Sequence, residues 1–77
     1  MSPENKFLAF AIEYYRHKKG LSGYEVSELF RKYDLSKLVI GNYFLYHIES
    51  PDHMVFDIDH YIETGFVYDP AFSRLTH

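Results

Sequence analysis

The chain has 77 residues, too few for a second core, because a chain of this length hides only about 60% of the surface its unfolded form exposes. A composition of 47% apolar and 25% charged residues excludes a disordered or collagen-like chain, and the absence of cysteine excludes disulfides, thiolate zinc sites and cysteine nucleophiles. No apolar run approaches the roughly 20 residues that cross a bilayer, and Met1–Lys6 lacks a basic-then-apolar export signal. The expectation is therefore one cytoplasmic domain over residues 1–77, with no membrane segment and residues 66–77 as an extension or flexible tail.

Ser2-Pro3-Glu4 predicts the start of a first helix. Ser2 accepts from an orphan amide, Pro3 lacks the amide that would go unpaired, and Glu4 complements the positive helix end. This helix runs to about Lys19, with Phe7, Leu8, Phe10, Ala11, Ile12, Tyr14 and Tyr15 on one wide apolar arc, and it ends at Gly20. Ser22-Gly23-Tyr24-Glu25 has the spacing of a capping box, and Leu21 and Val26 are placed to form the hydrophobic staple around it. A second helix follows from about Gly23 to Tyr33, burying Val26, Leu29, Phe30 and Tyr33 and carrying a Glu28–Lys32 pair on its wet face. Tyr24 falls among its polar positions.

Asp34-Leu35-Ser36 closes that helix and caps a third. From Leu38 to Ile48 almost every residue is apolar, so periodicity leaves helix and strand open, and a helix to about Tyr46 is the expectation. Glu49–His53 reads as a turn around Pro51, so Met54-Val55-Phe56 is placed to pair with Tyr46–Ile48 as a small hairpin. A fourth helix is expected from Asp57, with Ile58, Tyr61 and Ile62 inward and Gly65 ending it. The fold class is thus mainly α, a compact bundle of four short helices with one small β-hairpin.

Eight Tyr and seven Phe make up 19% of the chain. Rings that each cover roughly 150–250 Å² supply the core of so small a domain, and Tyr also suits interfaces, including a symmetric homodimer. Charge is polarised. Residues 1–38 hold seven Lys/Arg against five Asp/Glu, and residues 39–77 hold one against six.

No catalytic arrangement is legible. The serines include three helix caps and none sits in a glycine-framed elbow, and the glycines are scattered rather than gathered in a phosphate loop. Glu49, Asp52, His53, Asp57, Asp59 and His60 are metal-ligand types, but His53 and His60 are seven apart, so the cluster reads as a solvated acidic turn with Asp57 capping a helix; no metal or cofactor is expected. Arg16, Lys18, Lys19, Arg31 and Lys32 form the candidate nucleic-acid surface. The third helix would be the reading element, yet it is apolar, which disfavours groove recognition.

The run Leu21–Phe30, then Lys32-Tyr33 and later Asp57-Ile58-Asp59-His60-Tyr61-Ile62-Glu63, resembles a family of small uncharacterised bacterial proteins. The resemblance spans roughly residues 6–64. Phe66–His77 extends past the family's usual end, and Gly41 and the Tyr46–Phe56 stretch depart from its pattern. Members are often encoded beside a protein of the ADP-ribosyltransferase fold, which implies an antitoxin-like or accessory binding role and brings no catalytic residues.

The expected function is a non-catalytic protein-interaction module that binds such a neighbour, with Tyr24, Phe66, Tyr68 and Phe72 as candidate anchors. The alternative is a small nucleic-acid-binding accessory protein using the basic residues above.

Overall fold

The computed structural model describes residues 1–65, so the candidates Phe66, Tyr68 and Phe72 lie outside the described residues. Within them the chain forms α1 (Pro3–Lys19), α2 (Gly23–Tyr33), α3 (Leu35–Gly41), α4 (Tyr43–Tyr46) and α5 (Pro51–Thr64). The architecture is mainly helical, and none of the helices is long and apolar enough to cross a membrane.

The first two helices begin and end where their caps direct. Ser2 Oγ accepts from Asn5 N at 3.1 Å, and Gly20 closes α1 in the left-handed conformation at φ 66°. At α2 both halves of the capping box form, Glu25 N to Ser22 Oγ at 3.0 Å and Ser22 N to Glu25 Oε1 at 2.8 Å. The bonds to Ser22 also hold the Glu25 carboxyl below its usual range. The expected Glu28–Lys32 pair is replaced by Arg31 Nε to Glu28 Oε2 at 2.7 Å, one residue closer along the helix. Asp34 then serves two helices, closing α2 and opening α3 at φ 54°, with no capping bond from its side chain to α3.

Two expectations fail in the second half. The third helix does not run unbroken to Tyr46: Asn42 separates α3 from α4, its backbone N–H reaching Leu38 O and Val39 O and its Nδ2 donating to Leu38 O at 2.9 Å. These bonds finish α3, and Asn42 O accepts from Leu45 N and Tyr46 N at 3.1 and 2.9 Å to start α4, giving five helices among the described residues instead of four.

No hairpin forms, and no strand occurs among the described residues. Tyr46 ends α4, and Met54-Val55-Phe56 lies inside α5, which begins six residues before the predicted Asp57. Ser50-Pro51 is a helix start, not a turn between strands: Ser50 caps, and Pro51 occupies the first position, where no amide is needed. Asp57 is consequently a mid-helix residue and not a cap. Gly65 ends α5 as expected, at φ 79°.

The core draws on every helix. Ala11 and Tyr15 of α1 meet Val26 and Phe30 of α2, Leu35, Leu38 and Val39 of α3, Tyr46 of α4, and Met54 and Ile58 of α5. Tyr15 and Phe30 pack edge to face, their centroids 6.1 Å apart. Each fully buried aliphatic chain contributes about 1.5–3 kcal/mol.

Polar clasps fix how α5 lies on the rest. Tyr14 Oη donates to Asp52 Oδ1 and Tyr15 Oη to Asp59 Oδ1, both at 2.5 Å. One turn further along α1, Lys18 and Lys19 reach the same two carboxylates at 3.1 and 2.8 Å. Asp52 is thereby held below the usual carboxylate range, by the Tyr14 hydroxyl first and then by Lys18.

Deeper in, Tyr46 Oη donates to Asp57 Oδ2 at 2.8 Å across a buried contact. Asp57 is 2% exposed, and its Oδ1 accepts no hydrogen bond, lying 3.6 Å from His53 Nε2. His53 Nδ1 in turn meets the Glu49 carboxylate.

Removing the Tyr46 hydroxyl leaves a buried carboxylate without its donor. Tyr46→Phe should therefore cost roughly 1–3 kcal/mol in urea denaturation, whereas Tyr14→Phe, at the exposed clasp, should cost distinctly less.

Burial, and then the Asp59 and Asp57 carboxylates respectively, push the Tyr15 and Tyr46 phenols upward. A raised phenol stabilises the fold fully below its ordinary pKa of about 10 and loses that contribution as pH rises beyond it. Alkaline titration followed by tyrosinate absorbance should show a late fraction that ionises together with the loss of helical circular dichroism. Uniform ionisation of all tyrosines with the helices intact would contradict this.

Candidate functional site

The break at Asn42 decides what the surface offers. A four-residue helix has one inward side, and in α4 it is taken by Tyr46, 2% exposed and tied to Asp57. Its neighbours turn outward: Phe44 is 78% exposed, and Leu45 and Ile48 are also exposed. On α1, Phe7, Phe10 and Tyr14 recur at i, i+3 and i+7, so they share one face beside the buried Ala11 and Tyr15.

These two sets meet. Phe10 lies 5.6 Å from Tyr14 and 5.7 Å from Phe7, centroid to centroid, and Phe7 packs edge-on against Tyr43 at 5.6 Å. Tyr43 stacks on His47 at 4.4 Å and 9° between planes, and His47 meets the Phe44 ring edge at 5.8 Å. His47 is held in place by Nδ1 donating to Tyr43 O at 2.8 Å.

The result is an unbroken row of six rings from Tyr14 to Phe44 across two helices. Its outer members are in water, where large apolar area is costly and rings already ordered by their neighbours lose little freedom on contact with a partner.

The residues singled out by sequence are distributed differently. Tyr24 is 75% exposed on α2, as its polar register predicts, but its hydroxyl donates to Glu28 and its ring stands apart from the row. The basic candidates are engaged. Arg16 pairs with Glu13 at 3.1 Å and also donates to Leu21 O, Lys18 holds Asp52, Lys19 holds Asp59, and Arg31 holds Glu28. Lys32 sits over the Tyr33 ring at 5.4 Å.

The acidic cluster is likewise dispersed into clasps. Asp52 and Asp59 meet α1, Asp57 is buried, and no group of three metal-ligating residues gathers among the described residues.

Phe44 and Ile48 escaped sequence reasoning as surface residues because the apolar run Leu38–Ile48 reads as core, and Phe10 because it shares the apolar arc of α1. The signal that could have placed Phe44 and Ile48 is Gly41-Asn42, two residues that favour helix ends. Substituting Phe44→Ser together with Ile48→Ser should leave the unfolding free energy from chemical denaturation within about 0.5 kcal/mol of the parent, as expected of surface positions. A loss comparable to core truncation would place these side chains inside.

Comparison with known families matches residues 6–65 to the family described as Protein of unknown function (DUF3791), and the chain belongs to that family. Comparisons with curated proteins and with solved structures return no match.

Proposed function

We propose that this DUF3791 chain is a non-catalytic protein-interaction module, an antitoxin-like or accessory partner of a protein encoded beside it, with a neighbour of the ADP-ribosyltransferase fold as the first candidate. The observation that carries the reading is the aromatic row from Phe10 to Phe44, exposed at Phe10, His47 and Phe44, with the exposed Ile48 following His47. Aromatic side chains dominate binding hot spots because they bury large area at low cost in freedom. Phe10 and Phe44 take over the role of anchors from Tyr24, whose hydroxyl is occupied within α2.

Nucleic acid is the competing partner. Neutralised cations are poor phosphate ligands, and four of the five basic candidates are ion-paired.

Co-expression with the neighbouring gene tests the reading. The two proteins should co-purify, and Phe44→Ser with Ile48→Ser should weaken the complex by roughly tenfold to a hundredfold while the fold is retained. A neighbour with no affinity for the chain, or a complex indifferent to both substitutions, would overturn it. Gel shifts across salt concentrations address the competitor, since binding through phosphates must weaken steeply as salt rises.

A further inference from the structure

The buried stripe of α1 runs through Ala11 and Tyr15, so the opposite side of the helix is the one turned to water. That outer face carries Lys6, Ala9, Phe10 and Glu13, all of them exposed. Lys6 and Glu13 are seven residues apart, about two helical turns, and therefore lie in line along the helix. Between them sit the two apolar members: Ala9, with a single methyl, and Phe10, 45% exposed and steadied by the rings of Phe7 and Tyr14.

The two charges are placed as a two-fold axis requires. Lys6 and Glu13 stand equally far before and after the midpoint of Ala9 and Phe10, one basic and one acidic. The Arg16 guanidinium, by its hydrogen bond and then by its charge, holds the Glu13 carboxyl below its usual range, so Glu13 is anionic at neutral pH, and its side chain stays 61% exposed beside Arg16. Turned end for end, this face is complementary to itself. A dyad at the midpoint sets Lys6 of each copy opposite Glu13 of the other, and brings Phe10 against Phe10 and Ala9 against Ala9.

We infer that the chain pairs with a second copy of itself through the outer face of α1, the two helices lying antiparallel about the Ala9–Phe10 midpoint. On one side of the axis the small Ala9 lets the helices approach closely, and on the other the two Phe10 rings bury each other. The paired charges at both ends fix direction and register, because a parallel pair in register would set Lys6 opposite Lys6 and Glu13 opposite Glu13. The inference goes beyond the proposed function and shares only Phe10 with it; Phe44 and Ile48, at α4 and just after it, lie outside this face.

Sedimentation of the full-length protein at rising concentration tests the pairing and should show monomer passing to dimer. Lys6→Glu and Glu13→Lys should each weaken the dimer on the order of tenfold, whereas an equimolar mixture of the two variants should pair about as well as the parent, since both contacts again join opposite charges. Because the chain has no cysteine, Ala9→Cys supplies a single thiol beside the axis. It should form a disulfide-linked dimer under mild oxidation, and His17→Cys, roughly two turns farther along α1, should not.

A chain that stays monomeric up to about 1 mM, a dimer indifferent to both charge substitutions, a mixture that fails to pair, or equal cross-linking at the two positions would overturn the inference. The charge variants leave Phe44 and Ile48 in place, so loss of self-pairing and loss of the complex with the neighbouring protein are read separately.

Discussion

A single phenol-to-carboxylate contact governs the second half of the molecule. Asp57 is 2% exposed, and a buried carboxylate is tolerated only where hydrogen bonds replace its lost water. Tyr46 supplies that bond from a helix of four residues, too short to hold its own orientation by backbone bonds alone. The demand of Asp57 thus sets which side of α4 faces inward, and by elimination it sets Phe44, Leu45 and Ile48 facing out. Surface chemistry here follows from a polar requirement in the interior.

The outer clasps use the same pairing with a different purpose. Tyr14 and Lys18 share Asp52, and Tyr15 and Lys19 share Asp59, so two successive pairs on α1 grip carboxylates seven residues apart on α5. Seven residues are two helical turns, which keeps both acids on the face toward α1. Part of the polarised charge of the chain, net basic up to residue 38 and net acidic after it, acts within the fold as attraction between α1 and α5, through Lys18–Asp52 and Lys19–Asp59. Exposed pairs of this kind contribute modestly to stability, but they favour one relative placement of the two helices over its neighbours.

What the sequence discloses depends on whether a signal is local. Ser2, Ser22-Glu25, Gly20 and Gly65 act within a few residues of themselves, and the helix ends they imply are those observed. Pro51 is equally local, but Ser50-Pro51-Asp52 fits a turn as well as a helix start, and the apolar triplet Met54–Phe56 that follows fits a strand. Helical period emerges only when Met54, Asp57 and Ile58 are taken together as one buried face, and a charged residue within that face disguises it.

The exposed aromatics were illegible for a different reason. Phe44 and Tyr46 have similar hydrophobic character, and only contacts with α5 and α1, remote in sequence, decide that one enters the core and the other does not. Tyr24, placed by its polar neighbours, was legible. Its bond to Glu28 follows from their spacing of four.

Asp34 joins α2 to α3 with no connecting segment, its φ of 54° alone redirecting the chain. The crossing geometry of these two helices is therefore a function of one residue's torsions, and there is no slack to absorb a change in length. An inserted residue would rotate α3 by about 100° relative to α2, carrying Leu35, Leu38 and Val39 out of register together. By contrast, the connection from Gly20 to Ser22 has its own turn and leaves each flanking helix independently capped. A change in length is therefore better absorbed at the Gly20–Ser22 connection than at Asp34, whose left-handed torsions also restrict what can replace it.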